Sequence, residues 1–409
     1  MRSVADADFV RRQNRGLVLS TLRRHGPLSR TRLAGATGLS HASITGISGE
    51  LIGQSILVEG EPQAPAGARG RPPVEVAFNR HACYAVIVEL DVNRARCSLV
   101  DYAGTIVDRT EISLAPNQFS QVKPADFIIE RIEQLRQRNV AEQTSIRSIA
   151  ISVQGILDPT GDTLTWSPIA HMNGQSVAAP VRERFGAPTT LHKRGRLLAQ
   201  GTRLLYPELG ETPIAAVFIG STVAMGLSIP ARGGHPEAGA TEFGHMNHLP
   251  DGALCRCGMK GCIEAYAADY GVLRTAYGVP DRVPPAALVP AAAYQELVNL
   301  AKTGRRNALH AFNIAGRAIG FGLSRLLTIA SPSHIILTGP GASAYELMQS
   351  SIEAALRESL VCKVNGPPAI MVHHDEREPI FQGLLMDVLE TLDQTVFATM
   401  ASEPRLSRA

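Results

Sequence analysis

The sequence predicts an α/β protein in which an N-terminal winged helix-turn-helix precedes a larger domain of two α/β lobes. Three observations support this fold class: short helical patterns separated by glycines near the start of the chain, two successive series of β-rich segments followed by helices, and a cysteine cluster within the second series. The chain has 409 residues, 44% of them apolar, which is enough for two or three globular units. No apolar run approaches the length of a membrane span.

The start of the chain predicts three helices. Residues 14–25 carry apolar side chains at helical spacing, and a Gly-Pro pair ends that helix. Ser29 is expected to cap a second, short helix, and Ser40 is expected to cap a third after a glycine turn. The third helix places its apolar residues on one face: Ile44, Ile47 and Leu51. This spacing is typical of a helix-turn-helix.

The third helix of such a motif enters the major groove of DNA with its early, outward-facing residues. Those expected to contact bases are Ser40, His41, Ala42, Ser43, Thr45 and Ser48. Residues 56–58 and 74–78 are expected to pair as a two-stranded wing, and the loop between them carries Arg69 and Arg71, within reach of phosphates or a minor groove. The alternative is a small three-helix module that binds protein.

Basic charge is concentrated in this first segment. The net charge is +3, but residues 1–72 hold ten Arg and five acidic residues (10 − 5 = +5), whereas the remainder holds 30 basic and 32 acidic residues (30 − 32 = −2). Such a balance favours a partner with phosphates, although an arginine-rich surface can also be a solvated face.

From residue 82 onward, β-rich and helical segments follow one another in two cycles. The first cycle predicts strands at 84–90, 96–101, 105–113, 148–153 and 189–192, helices at 124–137 and 176–185, and a hairpin turn at 158–162. The second predicts strands at 214–219, 223–229 and 334–338, with helices up to residue 329, and a final helix at 380–396 that returns to the first lobe. The expected domains are 1–80 and 81–409, with lobe one at about 81–193 plus 374–396 and lobe two at about 194–373.

Three cysteines and a histidine in the second cycle predict a structural zinc site. The ligands would be His245, Cys255, Cys257 and Cys262, because zinc prefers a tetrahedron of thiolate sulfur and imidazole nitrogen. Gly258 and the neighbouring Gly261 permit the tight turns that the loop needs. A closed set of this kind holds a loop and leaves no position for catalytic water. Unpaired buried thiols, or one disulfide with a spare cysteine, are the alternatives.

The remaining cysteines, Cys83, Cys97 and Cys362, are scattered, and the first eight residues carry acids and lack the apolar core of a secretory signal. The expected compartment is therefore the reducing cytoplasm, with no membrane partner.

The chain resembles the ROK family (repressor, open reading frame, kinase), and within it the repressor branch with an N-terminal winged helix. The resemblance spans nearly the whole chain. It is carried by Gly26-Pro27-Leu28-Ser29-Arg30, Thr37-Gly38-Leu39-Ser40, Gly70-Arg71-Pro72-Pro73, the segment Glu237 to His245, and the cysteine run that ends in Glu264. It implies a two-lobed domain similar to actin-like sugar kinases, with a ligand cleft between the lobes.

The resemblance also implies a sugar-like effector held by Glu242, His245 and Glu264. Two other sugar contacts of the family are missing. Ile169 stands where an Asn follows a Ser-Pro pair, and Lys193-Arg194 stands where the family has an Asn-Asp pair.

In the kinases of the family, the Asp of that pair accepts the proton of the attacking sugar hydroxyl. Arg194 stays protonated and cannot do so. The phosphate loops also depart from the family pattern. Side chains replace glycines in residues 89–93, and the loop at residues 220–226 also keeps little of that pattern. We therefore predict no enzymatic activity. A kinase with an unusual base, Glu89 or Asp91, is the alternative.

The cations His192, Lys193, Arg194 and Arg196 lie where the family contacts neutral sugars, and they suggest an anionic effector such as a sugar acid or sugar phosphate. Equally, these side chains can point to solvent or pair with acids of the opposite lobe. The predicted protein is a regulator, most simply a repressor of carbohydrate-related genes. It would bind a double-stranded DNA operator as a homodimer or homotetramer. An effector-independent DNA-binding or scaffold protein is the remaining alternative.

Overall fold

The computed structural model of the protein describes residues 2–60, 74–139, 146–230 and 237–400. Its N-terminal unit is a winged helix-turn-helix in which strand β3 pairs antiparallel with both β1 and β2. The elements are α1 (Arg2–His25), β1 (Leu28–Ser29), α2 (Arg30–Thr37), α3 (His41–Gly53), β2 (Leu57–Glu59) and β3 (Glu75–Phe78). The segment at 61–73, with Arg69 and Arg71, lies outside the described residues.

Both predicted helix caps are confirmed. The Ser29 hydroxyl accepts a hydrogen bond from the backbone N–H of Arg32 at 3.3 Å, and the Ser40 hydroxyl accepts one from the N–H of Ser43 at 3.1 Å. Helix α1 begins at Arg2, well before the predicted start at residue 14. Residues 2–13 are mostly polar, so the apolar periodicity on which the prediction relied is absent there.

The first lobe is built on a five-stranded sheet of order β11-β7-β4-β5-β6. Strands β4, β7 and β11 are parallel, and the β4–β5 and β5–β6 pairs are antiparallel. The lobe contains β4 (Tyr84–Asp91), β5 (Arg94–Asp101), β6 (Ile106–Ser113), α4 (Pro124–Arg138), β7 (Ile146–Val153), β8 (Ile156–Leu157), β9 (Thr163–Trp166), β10 (Gln175–Ser176), α5 (Ala178–Phe185) and β11 (Thr189–Lys193). The predicted hairpin at 158–162 joins β8 to β9.

The second lobe repeats this topology in the sheet order β14-β13-β12-β15-β16. Its elements are α6 (Arg194–Leu205), β12 (Ile214–Ile219), β13 (Val223–Ile229), β14 (Glu237–Thr241), α7 (Glu264–Ala267), α8 (Asp269–Ala276), α9 (Ala291–Lys302), α10 (Arg306–Leu327), β15 (His334–Thr338), α11 (Tyr345–Arg357), α12 (Leu360–Asn365) and β16 (Ala369–His373), followed by the last helix, α13 (Arg377–Met400). The sequence patterns leave α6, β14, α11, α12 and β16 unassigned.

Helices α6 and α13 connect the lobes. Helix α6 packs on β12, β13 and β14, and α13 packs on α6 and on β4 and β7 of the first sheet. A Cβ atom at Gly226 would lie 1.9 Å from the carbonyl oxygen of Gly195, so only glycine permits this close approach of α6 to β13. The contact fixes the start of α6, and therefore Arg194, beside the cleft between the lobes.

A buried ion pair joins the winged helix to the larger, two-lobed domain. Arg23 at the end of α1 contacts Asp393 on α13, with 2.8 Å between Nη2 and Oδ1. The Tyr102 hydroxyl donates to the same carboxylate oxygen at 2.7 Å, and the Arg23 guanidinium lies 3.8 Å from the centre of the Phe78 ring. The unit that would bind DNA is thereby tied to the helix that packs against both lobes.

None of the helices in the described part of the chain combines the length and apolar character needed to cross a membrane.

Candidate metal centre and interlobe cleft

The four predicted metal ligands lie together in the second lobe. The ligand atoms of His245, Cys255, Cys257 and Cys262 all lie within 4.8 Å of one another. The Cys257 and Cys262 sulfurs are 3.7 Å apart, and the Cys255 sulfur is 3.8 Å from Nδ1 of His245. A tetrahedral zinc with Zn–S bonds of about 2.3 Å has ligand-to-ligand edges of roughly 3.8 Å. The donor types and their spacing therefore fit a closed metal site.

The loop reaches this geometry through its glycines. Gly258 and Gly261 have φ values of +85° and +76°, in the region that favours glycine, as the sequence predicted. The turn is closed by hydrogen bonds from the Gly258 N–H to the Cys255 carbonyl and from the Cys255 N–H to the Met259 carbonyl. All six cysteines are free thiols, so the disulfide alternative for this cluster is wrong.

The thiols of the cluster shift one another's pKa values in opposite directions. Hydrogen bonds from Cys255 and Cys262 lower the pKa of Cys257, whereas hydrogen bonds to the other two thiols raise the pKa of Cys262. Burial opposes the charged form of His245, but hydrogen bonds to the neighbouring sulfurs raise its pKa to about 10. A bound cation would displace the protons of these groups, because thiolate and neutral imidazole are the forms that bind a metal.

Glu264 lies between the metal centre and the cleft. Only 1% of its surface is exposed, and it accepts hydrogen bonds from the Val223 N–H at 3.1 Å and the Tyr270 hydroxyl at 3.4 Å. Its Oε1 lies 3.6 Å from the Cys255 sulfur. Burial, followed by the charge of Cys255, raises the pKa of Glu264 to about 7. The Glu264 carboxyl group is therefore held at the cleft by Val223 and Tyr270, next to the cysteine loop.

The five residues predicted to bind an effector line one cleft between the lobes: Lys193, Arg194, Glu242, His245 and Glu264. The empty space of the cleft, counted with its open mouth, is about 480 Å³. Gln154 and Trp166 also line it, and the sequence analysis missed both. A signal was present, because Gln154 follows the carboxyl end of a buried parallel strand, where ligands commonly bind.

The cations of the cleft are paired with acids. Lys193 forms an ion pair with Glu242 of the second lobe, and Arg194 forms one with Asp91, 3.1 Å away. Burial raises the pKa of Asp91, but the positive charge of Arg194 and other donors outweigh it and lower the pKa overall. The alternative in which these side chains pair with acids of the opposite lobe therefore holds for both residues, because Lys193 and Asp91 belong to the first lobe and Glu242 and Arg194 to the second.

The neighbouring His192 and Arg196 both contact Asp387 on α13. Burial lowers the pKa of His192 to about 4, so this imidazole is neutral near pH 7. The expectation that His192 contributes a positive charge to the cleft is wrong.

The sequence profile of the ROK family matches residues 85–383, which include both lobes and the metal centre. This chain belongs to the ROK family.

Curated ROK relatives cover most of the chain. The xylose repressor of Bacillus subtilis (strain 168) is 25% identical over 356 residues, or 86% of this chain and 88% of the relative. The DNA-binding transcriptional dual regulator NagC of Escherichia coli (strain K12) is 21% identical over 388 residues, or 92% and 93%. Both matches exceed the span of the two lobes, so they extend into the N-terminal unit.

Solved ROK structures share the fold. A ROK family transcriptional regulator, described as a homologue of the E. coli MLC protein, superposes with a TM-score of 0.70 at 20% identity, covering 94% of this chain and 98% of that one. A ROK family glucokinase from Streptomyces griseus, in complex with glucose and AMPPNP, gives a TM-score of 0.54 at 21% identity, covering 74% and 98%. The predicted fold class is confirmed.

In this ROK chain the predicted base-reading face of α3 is largely accessible. Ser40, His41 and Thr45 are exposed, and Ser43 is half-buried. Ser48 is different, because it is 0% exposed and its hydroxyl accepts a hydrogen bond from Nε of Arg30 at 2.9 Å. The expectation that Ser48 faces DNA is wrong, since the α3 helical period turns it toward the core beside Ile47.

Proposed function

We propose that this ROK chain is a DNA-binding transcriptional repressor of carbohydrate-related genes, whose operator affinity changes when a sugar binds between the lobes. The observation that carries the proposal is the combination, in one chain, of an accessible helix-turn-helix face and a cleft lined by Glu242, His245 and Glu264. The buried Arg23–Asp393 pair supplies a physical connection between the two. The names of the relatives, repressors of xylose and N-acetylglucosamine genes, support a sugar as the effector class.

The metal centre is proposed to hold zinc. Cys255, Cys257, Cys262 and His245 would be its ligands, and the bound ion would supply structural cross-linking of the loop, because a closed set of three sulfurs and one nitrogen leaves no position for a reacting water. Within the chain, the loop then holds His245 at the edge of the Trp166 ring, 5.1 Å between ring centres, and Glu264 behind the cleft.

A neutral sugar is favoured over an anionic one. Lys193 and Arg194 already have carboxylate partners, so their positive charges are largely compensated before any effector binds. Glu242 and Glu264 add negative charge to the cleft lining.

We propose that the chain is not an enzyme. The end of β11, where the family's kinases have their catalytic carboxylate, carries Lys193 and Arg194 here. Asp91 is a poor substitute base because its pKa is lowered and Arg194 is bonded to it. Glu89, the other alternative base, has a pKa raised by burial but pairs with Arg96.

Regulation would be a population shift between two arrangements of a dimer or tetramer. Paired recognition helices must meet half-sites about one helical turn apart, so an effector that favours one lobe arrangement can change operator affinity through their spacing. The proposed location is the cytoplasm, where an operator would be bound.

The test is operator binding by the purified full-length protein at fixed salt. DNA from upstream of its own gene is labelled, and affinity is measured by fluorescence anisotropy with neutral sugars, sugar acids and sugar phosphates. A change in affinity with a neutral sugar supports the proposal. Specific binding that no compound alters would favour an effector-independent regulator, and absence of specific binding together with ATP-dependent sugar phosphorylation would favour the kinase.

A further inference from the structure

Gln154 presents an unpaired hydrogen-bond acceptor at the cleft. It follows the last residue of β7, it is 5% exposed, and its side chain lines the cleft. Its amide nitrogen donates to Oδ1 of Asp91 at 2.8 Å. An ionised carboxylate only accepts hydrogen bonds, so this contact fixes which end of the amide faces Asp91. The other end, Oε1, is buried without a partner among the residues that the structure describes.

Arg194, which contacts the same Asp91 carboxylate, has an unpaired donor. This side chain is also 5% exposed, and its Nη1 lies 3.1 Å from Oδ2 of the same Asp91 carboxylate. The guanidinium lies 4.0 Å from the centre of the Phe218 ring. Its Nε is buried and, within the described parts of the chain, has no hydrogen-bond partner. Asp91 therefore holds both side chains in place, one on each of its oxygens.

Buried polar atoms are nearly always paired, so two unpaired atoms on residues that line a cleft call for a partner from outside the chain. A free acceptor and a free donor, held by one carboxylate, match the two capacities of a hydroxyl group, which donates one hydrogen bond and accepts others. A carboxylate or phosphate oxygen has no proton to give to Gln154 Oε1.

We propose that Gln154 and Arg194, positioned by Asp91, bind one hydroxyl group of a neutral sugar and thereby select neutral sugars against their acids and phosphates. The inference rests on the proposed function, since it assigns specificity to the same cleft. The proposed hydrogen bonds would also replace a sugar contact that the family has and this chain lacks. Ile169, in place of an Asn, is a buried apolar side chain that offers no hydrogen bond from its side chain.

Trp166 provides a direct readout of the cleft. It is the only tryptophan in the sequence, it lines the cleft, and its ring meets that of His245 edge-on. Intrinsic fluorescence of the full-length protein would be titrated with D-xylose and D-glucose, and with the aldonic acid and a phosphate ester of each. We expect at least one neutral sugar to bind at least about tenfold more tightly than its charged derivatives, because the charged group would face an unpaired acceptor.

The variant is Gln154→Met, which keeps the side-chain length and removes the amide. Affinity for the neutral sugar should fall about tenfold or more. Gln295→Met is the matched control, because Gln295 is exposed on α9, away from the cleft. The affinity of this control variant for the neutral sugar should stay unchanged. If Gln154→Met does not fold, as judged by circular dichroism, Gln154→Asn keeps the amide but withdraws it by one methylene and should also weaken binding.

Monodeoxy analogues distinguish a direct contact from a structural effect. One deoxy position should weaken binding to the wild-type protein by a similar factor, and the Gln154 variant should no longer distinguish that analogue from the parent sugar. Three outcomes would overturn the inference: equal losses of affinity for every deoxy analogue, unchanged sugar affinity in the Gln154 variants, or tighter binding of a sugar acid or sugar phosphate. None of the three would contradict the proposal that the protein is a sugar-responsive regulator. If no compound changes either Trp166 fluorescence or operator affinity, the proposed function itself fails.

Discussion

The Arg23–Asp393 pair predicts that the sugar response can be removed without affecting sugar binding. The perturbation is Asp393→Ala, in the middle of the last helix. It deletes the carboxylate that contacts Arg23 at 2.8 and 3.3 Å and accepts the hydrogen bond from Tyr102. The cleft lies elsewhere, so the residues that line it keep their own contacts.

The structure sets the size of the effect. The two side chains are 6% and 14% exposed, so solvent screens the pair only weakly. Removing one partner of a buried pair costs about 3–5 kcal/mol, because the other charge stays buried. The Phe78 ring under the guanidinium remains, so a value near the lower limit, about 3 kcal/mol, is expected for docking of the winged helix. Allosteric coupling energies are typically about 1–3 kcal/mol. The loss therefore equals or exceeds the whole coupling.

The assay has two parts. Fluorescence anisotropy gives operator affinity with and without the sugar that changes it, and Trp166 fluorescence gives the affinity for that sugar. In the Asp393→Ala variant, operator affinity measured with the sugar should differ little from operator affinity measured without it, so that their ratio is close to 1. Sugar affinity should stay within about twofold of wild type. Glu390→Ala is the control, because Glu390 lies one turn earlier on the same helix, is exposed, and has no ion pair among the described residues. A full sugar response in Asp393→Ala would refute the reasoning.

The remaining predictions concern the metal loop, acid stability and the recognition helix. Cys257→Ser should lower bound zinc, measured by mass spectrometry, and weaken the sugar response more than basal operator binding; equal loss of both in a folded variant would contradict the structural role. Because burial lowers the pKa of His192 from 6.5 to about 4, the unfolded chain binds the extra proton between those values, and stability falls as pH falls through that window. Denaturant unfolding at about pH 7.5 and about pH 5 should show a smaller loss in His192→Gln, and an identical loss would count against a buried neutral imidazole. Thr45→Ala should change the preferred operator sequence. Ser48→Ala should leave that preference unchanged and lower the free energy of unfolding by about 1 kcal/mol, because Arg30 loses its hydrogen-bond acceptor. A change of sequence preference in the Ser48 variant would show that this residue reaches DNA.

Much of the candidate site was predictable because its signals are local. Three cysteines within eight residues, separated by glycines, can reach one ion whatever the rest of the fold does, and the positive φ values of Gly258 and Gly261 follow from the same short segment. The caps at Ser29 and Ser40 were equally local, since each bonds to a backbone N–H three residues away. The succession of strands and helices along the chain followed from alternating β and α patterns.

Errors arose where a side chain's role depends on distant neighbours. Ser48 looked like a member of the exposed helix face until Arg30, from another helix, was seen to bond its hydroxyl. Helix α1 extends beyond its apolar pattern, and a polar stretch of helix carries no periodic signal by which the sequence could reveal it.

The sequence by itself determined the fold class, the metal-binding donor set and the positions where the chain departs from the sugar kinases, because each depends on residue types at short spacing. Only the tertiary structure decided that Lys193 and Arg194 are neutralised by Glu242 and Asp91, and that Gln154 faces the cleft. It also revealed the contact between Arg23 and Asp393, which are 370 positions apart. Such pairings are decided when strands and helices pack, since the charge that a buried residue meets comes from whichever element lies opposite it, and spacing along the chain carries no record of that neighbour.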